Sequence, residues 1–214
     1  PWLKKVPAIV QAWYLGSESG NAVASVISGE VNPSGKLPFS FPVKLDDNAA
    51  ISFGKISYPG IDKKQIYKED ILVGYRWFET KKIKPQFPFG FGLSYTTFEY
   101  GKIQSDKKKY EKDDTINLSF SLKNTGKISG AQVCQIYTAL PKSGIARAAK
   151  ELKAFKKVYL NAGESASVQL QIKVSDLAYY NESLKEWIIE PGEYILMNSS
   201  SSAETINSTT ISIL

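Results

Sequence analysis

TINLSFSLK, residues 115–123, alternates apolar Ile116, Leu118, Phe120 and Leu122 with polar Asn117, Ser119 and Ser121. A period of two is the mark of a strand with one buried face. The turn NTGKISG (124–130) follows, then a second strand in AQVCQIYTAL (131–140). Further along, ELKAFKKVYL (151–160) leads into the turn NAGES (161–165). SVQLQIKV (167–174) alternates again and should bury Val168, Leu170, Ile172 and Val174. EWIIEPGEYILMN (186–198) reads as two short strands around Pro191-Gly192, and TTISIL (209–214) as a last one. Six or seven short strands with Gly/Asn turns and no convincing helix predict an antiparallel β-sandwich of about 115 residues, immunoglobulin- or fibronectin-like.

Upstream the character changes. VPAIVQAWYLG (6–16) opens on an apolar run that suits a strand, and SESGNAVASVISG (17–29) predicts a short helix. Ser17 can cap it, Glu18 complements the positive end of its dipole, and Gly29 fits its stop. Ala22, Val23, Val26 and Ile27 share one face. After the turn NPSG (32–35), KLPFSFP (36–42) reads as extended. Strand, helix, strand is a fragment of an α/β layer, and a parallel sheet needs cover on both faces. The expected organisation is a remnant of an α/β domain over 1–45, a connector over 46–96 and the sandwich over 97–214. Within the connector, ILVGYRWFE (71–79) is strand-like and YPGIDKK (58–64) a turn.

Composition narrows the chemistry. The 214 residues are 43% hydrophobic and 22% charged, ordinary for a globular protein. There is no histidine, which excludes Ser-His-Asp and Cys-His catalysis and any imidazole metal site. The one cysteine, Cys134, lies in an apolar strand and reads as a core thiol. The net charge of +6 is carried almost wholly by lysine, with Arg76 and Arg147 the only arginines, a poor balance for nucleic-acid recognition. Lysine-rich SDKKKYEKDD (105–114) is mixed with acids and reads as a solvated turn. No apolar run reaches the roughly 18–20 residues of a membrane span. The first residues do not match a secretory signal, and the opening Pro1-Trp2-Leu3 without Met is expected of a processed end or an internal cut.

Several residues invite functional readings. Glu18 lies beside Trp13 and Tyr14, as an acid in a sugar site would, or serves the helix dipole. Glu69-Asp70 precede Arg76 at ion-pair spacing, and Asp113-Asp114 sit in the lysine-rich turn. Trp77, Phe78, Phe87, Phe89 and Phe91 could stack on sugar rings or pack a domain junction, where each ring buries about 150–250 Å². Gly90 and Gly92 in FPFGFGLSYTTFEY (87–100) serve tight turning; no helix follows to cradle a phosphate. This stretch reads as the hinge and clamp of the sandwich. Four N-x-[ST] matches begin at Asn117, Asn181, Asn198 and Asn207 and are frequent by chance in Asn/Ser-rich strands.

In this order the pieces resemble the C-terminal end of family 3 glycoside hydrolases, the β-glucosidase and β-xylosidase family. The likeness is carried by residues 6–42, by YKEDILVGYRWFE (67–79), by FPFGFGLSYTTFEY, by KNTG (123–126), and by KELKAFKKVYLNAGES (150–165) and EWIIEPGEYILMNSSSS (186–202). Leu15 stands where the family usually has proline, and Ser17 and Ser19 replace a more usual glutamine and glycine. The resemblance implies a fibronectin type III-like last domain. It also implies an aspartate nucleophile on an N-terminal barrel and an acid/base glutamate on the α/β sandwich domain, both earlier in the family's chain than anything matching Pro1. Retaining hydrolysis needs two carboxyls about 5–5.5 Å apart. The expectation is therefore a chain with no catalytic residue, cofactor or metal of its own, inactive alone. Its partner would be the missing barrel and α/β portion, in cis or as a separate chain, and oligosaccharides or aryl glycosides would be the parent's substrates. The alternatives are a free-standing carbohydrate-binding or adhesion module and one half of a split glycosidase. A periplasmic or secreted location is implied by the resemblance alone.

Overall fold

A computed structural model describes residues 2–214; Pro1, and with it the expectation for that end, lies outside the described residues. Helix α1, Ser19–Ser28, forms where expected and stops at Gly29, whose φ of +81° suits glycine. Ser17 does not cap it. The chain is still turning there, with Ser19 N–H donating to the Gly16 carbonyl, and Glu18 takes the cap position without a capping bond.

The strand expected within 6–16 does not form. A strand is a hydrogen-bonded pairing, and the segment finds no ladder partner among the described residues, so Val6, Ile9 and Val10 stand 40–52% exposed. Of the expected extended run 36–42, residues 37–41 do pair, with residues 86–91.

In the connector, Asn48 caps α2, Ala49–Ser52, by accepting from Ala50 N–H at 3.1 Å. The turn at 58–64 is present, tightened by Asp62 and Lys63 with φ of 50° and 60° between paired Ile61 and Lys64. The strand-like reading of 71–79 was incorrect: Tyr75–Lys81 is helix α3. Gly74, at φ 62°, breaks the extended run, and a helical turn carries Trp77 and Phe78 onto Ala49, Leu72 and Ile83 as a small core.

The remainder is the sandwich. β1 is Phe98–Tyr100, β2 Gln104–Ser105, β3 Lys109–Tyr110, β4 Thr115–Asn124, β5 Gly130–Ala139, β6 Glu151–Leu160 and β7 Ser165–Lys173. A hairpin of β8, Tyr179–Asn181, and β9, Glu186–Ile188, stands apart, and β10, Gly192–Ser201, and β11, Glu204–Ile213, complete the fold. In one sheet β7 pairs along one edge of β4, while β1 and β2 share the other. The second sheet runs β3-β11-β10-β5-β6. The seven strands legible in sequence are present; the short β1, β2, β3 and β8 carry too few residues to show a period. Ile116, Leu122, Cys134, Ile136 and Leu196 are fully buried between the sheets. Val168, Ile172 and Val174 bury as expected, with Leu170 half-buried.

β5 departs from alternation because it is buried on both faces. Cys134 and Ile136 face the core, while Gln135 and Tyr137 on the other face are covered by residues 75–90. That second covering layer is the candidate site.

Candidate functional site

The cover is built from two extended runs and a helix. Leu37 N–H donates to the Phe91 carbonyl, Gly90 N–H to Leu37, Phe41 N–H to Phe87 and Gln86 N–H to Phe41, all at 2.7–2.9 Å. Residues 37–41 and 86–91 thus form an irregular ladder that ties the N-terminal segment to the clamp. The clamp is fixed in turn to the sandwich, because Ser202 N–H donates to the Phe89 carbonyl at 2.9 Å. Gln135 Nε2 donates to Gly90 O at 3.1 Å and to Ser200 O at 2.8 Å, while its Oε1 accepts from Tyr137 OH at 2.7 Å. Gly90 is at φ 78°, and a Cβ there would collide with the Gln135 amide, so both backbone and space require glycine. At Gly92 a Cβ would meet the Gly35 carbonyl instead. Lys36 donates to Gly92 O, and burial lowers its pKa.

Helix α3 makes the second contact. Tyr75 stacks on Phe89 at 4.8 Å and meets Tyr137 edge-on at 5.7 Å, while its hydroxyl accepts from Leu152 N–H at 2.7 Å. Burial raises the pKa of both phenols. Arg76 pairs with Glu151 at 3.2 Å and Glu79 with Lys150 at 3.2 Å. The expected pairing of Arg76 with Glu69-Asp70 is therefore replaced by one with β6. Glu69 is 9% exposed, with Oε2 lacking a hydrogen-bond partner among the described residues.

At the lead-in to β1, side-chain amides do the fastening. Asn32 accepts from Ser94 Oγ and Tyr95 N–H and donates to the Ser129 carbonyl at 2.9 Å. Tyr95 OH donates to the Val26 carbonyl near the end of α1. Asn124, with no exposed surface, accepts from Thr96 Oγ1 and Gly126 N–H and donates to the carbonyls of Ile128 and Leu160. Sequence reading singled out the glycines and aromatics here but missed Asn32, Asn124 and Gln135. The only signal for Gln135 was a polar residue on a strand whose other face is apolar, and partners 45 and 65 residues away are invisible to local pattern.

The remaining candidates fall into place. Trp77 is buried and donates to the Asp47 carbonyl, and Phe78 packs beside it, so both are core rather than sugar platforms. Phe87 and Phe91 stack at 5.6 Å, and Phe87 continues through Phe41 and Phe39 to Trp13, a line of rings whose outer end is exposed. Glu18 accepts from Asn21 Nδ2 at 2.6 Å. Asp114 accepts from Lys107 and from Glu111 N–H in the turn before β4, but the run 105–114 is not solvated throughout: it contains β3, which pairs with β11 and buries Tyr110 in the sandwich core. Cys134 is a buried core thiol whose pKa burial pushes up to about 12. Asn198 of one sequon match is fully buried, out of reach of any glycan.

Comparison with known proteins agrees with this architecture. Residues 1–95 match the glycosyl hydrolase family 3 C-terminal domain, and residues 132–202 a fibronectin type III-like domain. A β-glucosidase of Bacteroides ovatus is 50% identical over 204 residues, spanning 95% of this chain and 27% of the relative. Thermostable β-glucosidase B of Acetivibrio thermocellus is 44% identical, over 96% of this chain and 27% of its own length. The crystal structure of DesR, a β-glucosidase from Streptomyces venezuelae in complex with D-glucose, superposes with a TM-score of 0.94 at 36% identity, covering all of this chain and 27% of that one. The chain thus spans about a quarter of the length of these relatives. With the family's C-terminal domain model matching residues 1–95 and these relatives aligning along nearly the whole chain, the chain corresponds to the C-terminal part of glycoside hydrolase family 3 proteins.

Proposed function

We propose that this chain is the non-catalytic support of an exo-acting β-glucosidase-like enzyme. Residues 97–214 form the fibronectin type III-like domain, 46–96 the connector and 1–45 the end of the α/β sandwich domain. The observation that carries this reading is the contrast between the two sides of the N-terminal segment. Toward the sandwich it is sealed by the ladder, the aromatic stack and Asn32. Elsewhere Val6, Ile9, Val10, Ile27, Val43 and Leu45 are 40–70% exposed. Exposed apolar surface of this kind marks an interaction face. Its occupant is the preceding portion of the family's chain, which carries the barrel nucleophile and the α/β acid/base carboxylate, in cis or as a separate polypeptide. A stable union would bury at least about 1,000 Å².

Reconstitution tests this. The chain is mixed with the Bacteroides ovatus relative truncated of its matching last quarter, and turnover of an aryl β-glucoside is followed. The expected result is no turnover by either piece and saturable recovery when both are present. Turnover by this chain alone that follows the protein through purification, or a truncated relative indifferent to its addition, would overturn the reading.

A further inference from the structure

Where the loop after α1 faces the sandwich, an open groove of about 690 Å³ remains between Glu30, Val31 and Ser34 on one side and Ile128, Lys157 and Tyr159 on the other. Its size falls within the range of small-molecule sites, roughly 300–1,000 Å³. The apolar strip within it is exposed: Val31 is 49% exposed, Ile128 42% and Tyr159 66%. Its polar groups are also available. Glu30 takes one hydrogen bond, from Ser25 Oγ, and neither Glu30 nor Lys157 joins an ion pair among the described residues. Asn32, by contrast, has both amide atoms engaged in holding the two walls together, so the groove is braced. The bracing is local: Gly130, which lines the groove, has no room for a Cβ beside Asn32.

An exposed aromatic residue flanked by a carboxylate and an ammonium that join no ion pair among the described residues fits a ligand with one flat apolar face and many hydroxyls. Opposite charges in one groove give no net preference for an anion or a cation. We infer that this groove binds a neutral oligosaccharide, one pyranose lying on Tyr159 with its hydroxyls bonded by Glu30, Lys157 and Ser34. The groove itself is independent of the enzyme reading above; the choice of a β-linked sugar rests on it.

The test is titration of the isotope-labelled 214-residue chain with cellotetraose up to about 10 mM, followed by amide chemical shifts, since a shallow site of this kind binds at about millimolar strength. Expected are saturable shifts confined to residues 29–34, 128–131 and 157–159, weakened about tenfold by Tyr159→Ala and by Glu30→Gln, both on exposed side chains. Trp13→Ala, at the aromatic end outside the groove, should leave the titration unchanged. No shifts, or shifts centred on Trp13 and Phe39 instead, would overturn the inference. Shifts indifferent to Tyr159→Ala would do the same. A chain that reconstitutes glycosidase activity yet shows no shifts removes the groove site alone, while groove shifts without reconstitution remove only the enzyme reading.

Discussion

Replacing Asn124 with alanine tests whether the lead-in to the sandwich is held by one side chain. Its amide makes four bonds: Thr96 Oγ1 donates at 2.6 Å and Gly126 N–H at 3.1 Å, and Nδ2 reaches the carbonyls of Ile128 at 2.8 Å and Leu160 at 3.2 Å. A net contribution of about 1 kcal/mol each makes about 4 kcal/mol. Two of the orphaned partners belong to residues closed to water, Thr96 at 7% and Leu160 at 1% exposure, so their desolvation is not recovered. The Ile128 carbonyl lies at a more open position and regains part of its cost from solvent. The expected loss is about 3–5 kcal/mol, a large share of a domain's stability. In urea, with a slope of about 2 kcal/mol per molar, the midpoint should fall by about 2 M. Thr96→Val removes only one of the four bonds and leaves Gly126 on the amide, so its midpoint should fall by about 0.5 M. A shift for Asn124→Ala no larger than that for Thr96→Val would refute the network argument.

Gly90→Ala should cost about 3 kcal/mol, from the positive φ and from displacing the Gln135 amide out of its bonds. On a Gln135→Ala background the same change should cost clearly less, because the colliding group is gone; additive losses in a double-mutant cycle would count against the packing account. Asp106 supplies a pH dependence. Burial acts to raise its pKa, but hydrogen bonds from the Asn117 side chain, Tyr110 OH and Asn117 N–H outweigh this and lower it to about 2. Its stabilisation is therefore complete above the unfolded value of about 4 and is lost as pH falls through about 2. Asp106→Asn should flatten the stability profile between those limits, and an unchanged slope in acid denaturation would dismiss it.

Much of this was legible locally. The strands at 115–123 and 167–174 show themselves because one face meets the core and the other water, so burial writes a period of two into the residues. Helix α1 was legible through its apolar face and Gly29, and the connector turn through Pro59-Gly60. Helix α3 was misread because its aromatics are dense enough to satisfy a strand pattern too. What selects the helix is Tyr75 reaching Phe89, Tyr137 and Leu152, contacts from other parts of the chain. The segment 6–16 is the converse case, an apolar run written for a sheet whose neighbouring strands it does not find among the described residues.

By itself, then, the sequence determined the sandwich, the order of its main strands, the absence of histidine chemistry and the family. The first three follow from composition and from burial acting on residues a few positions apart, and the family only from the resemblance of whole segments to known proteins. Only the tertiary structure decided which polar residues fasten the junction, that Arg76 pairs with Glu151, that Trp77 and Phe78 are core, and that a braced groove lies beside Tyr159. Each of these depends on groups dozens of residues apart meeting at hydrogen-bond or van der Waals range. The free energy of such a meeting leaves no periodic trace in the chain that makes it.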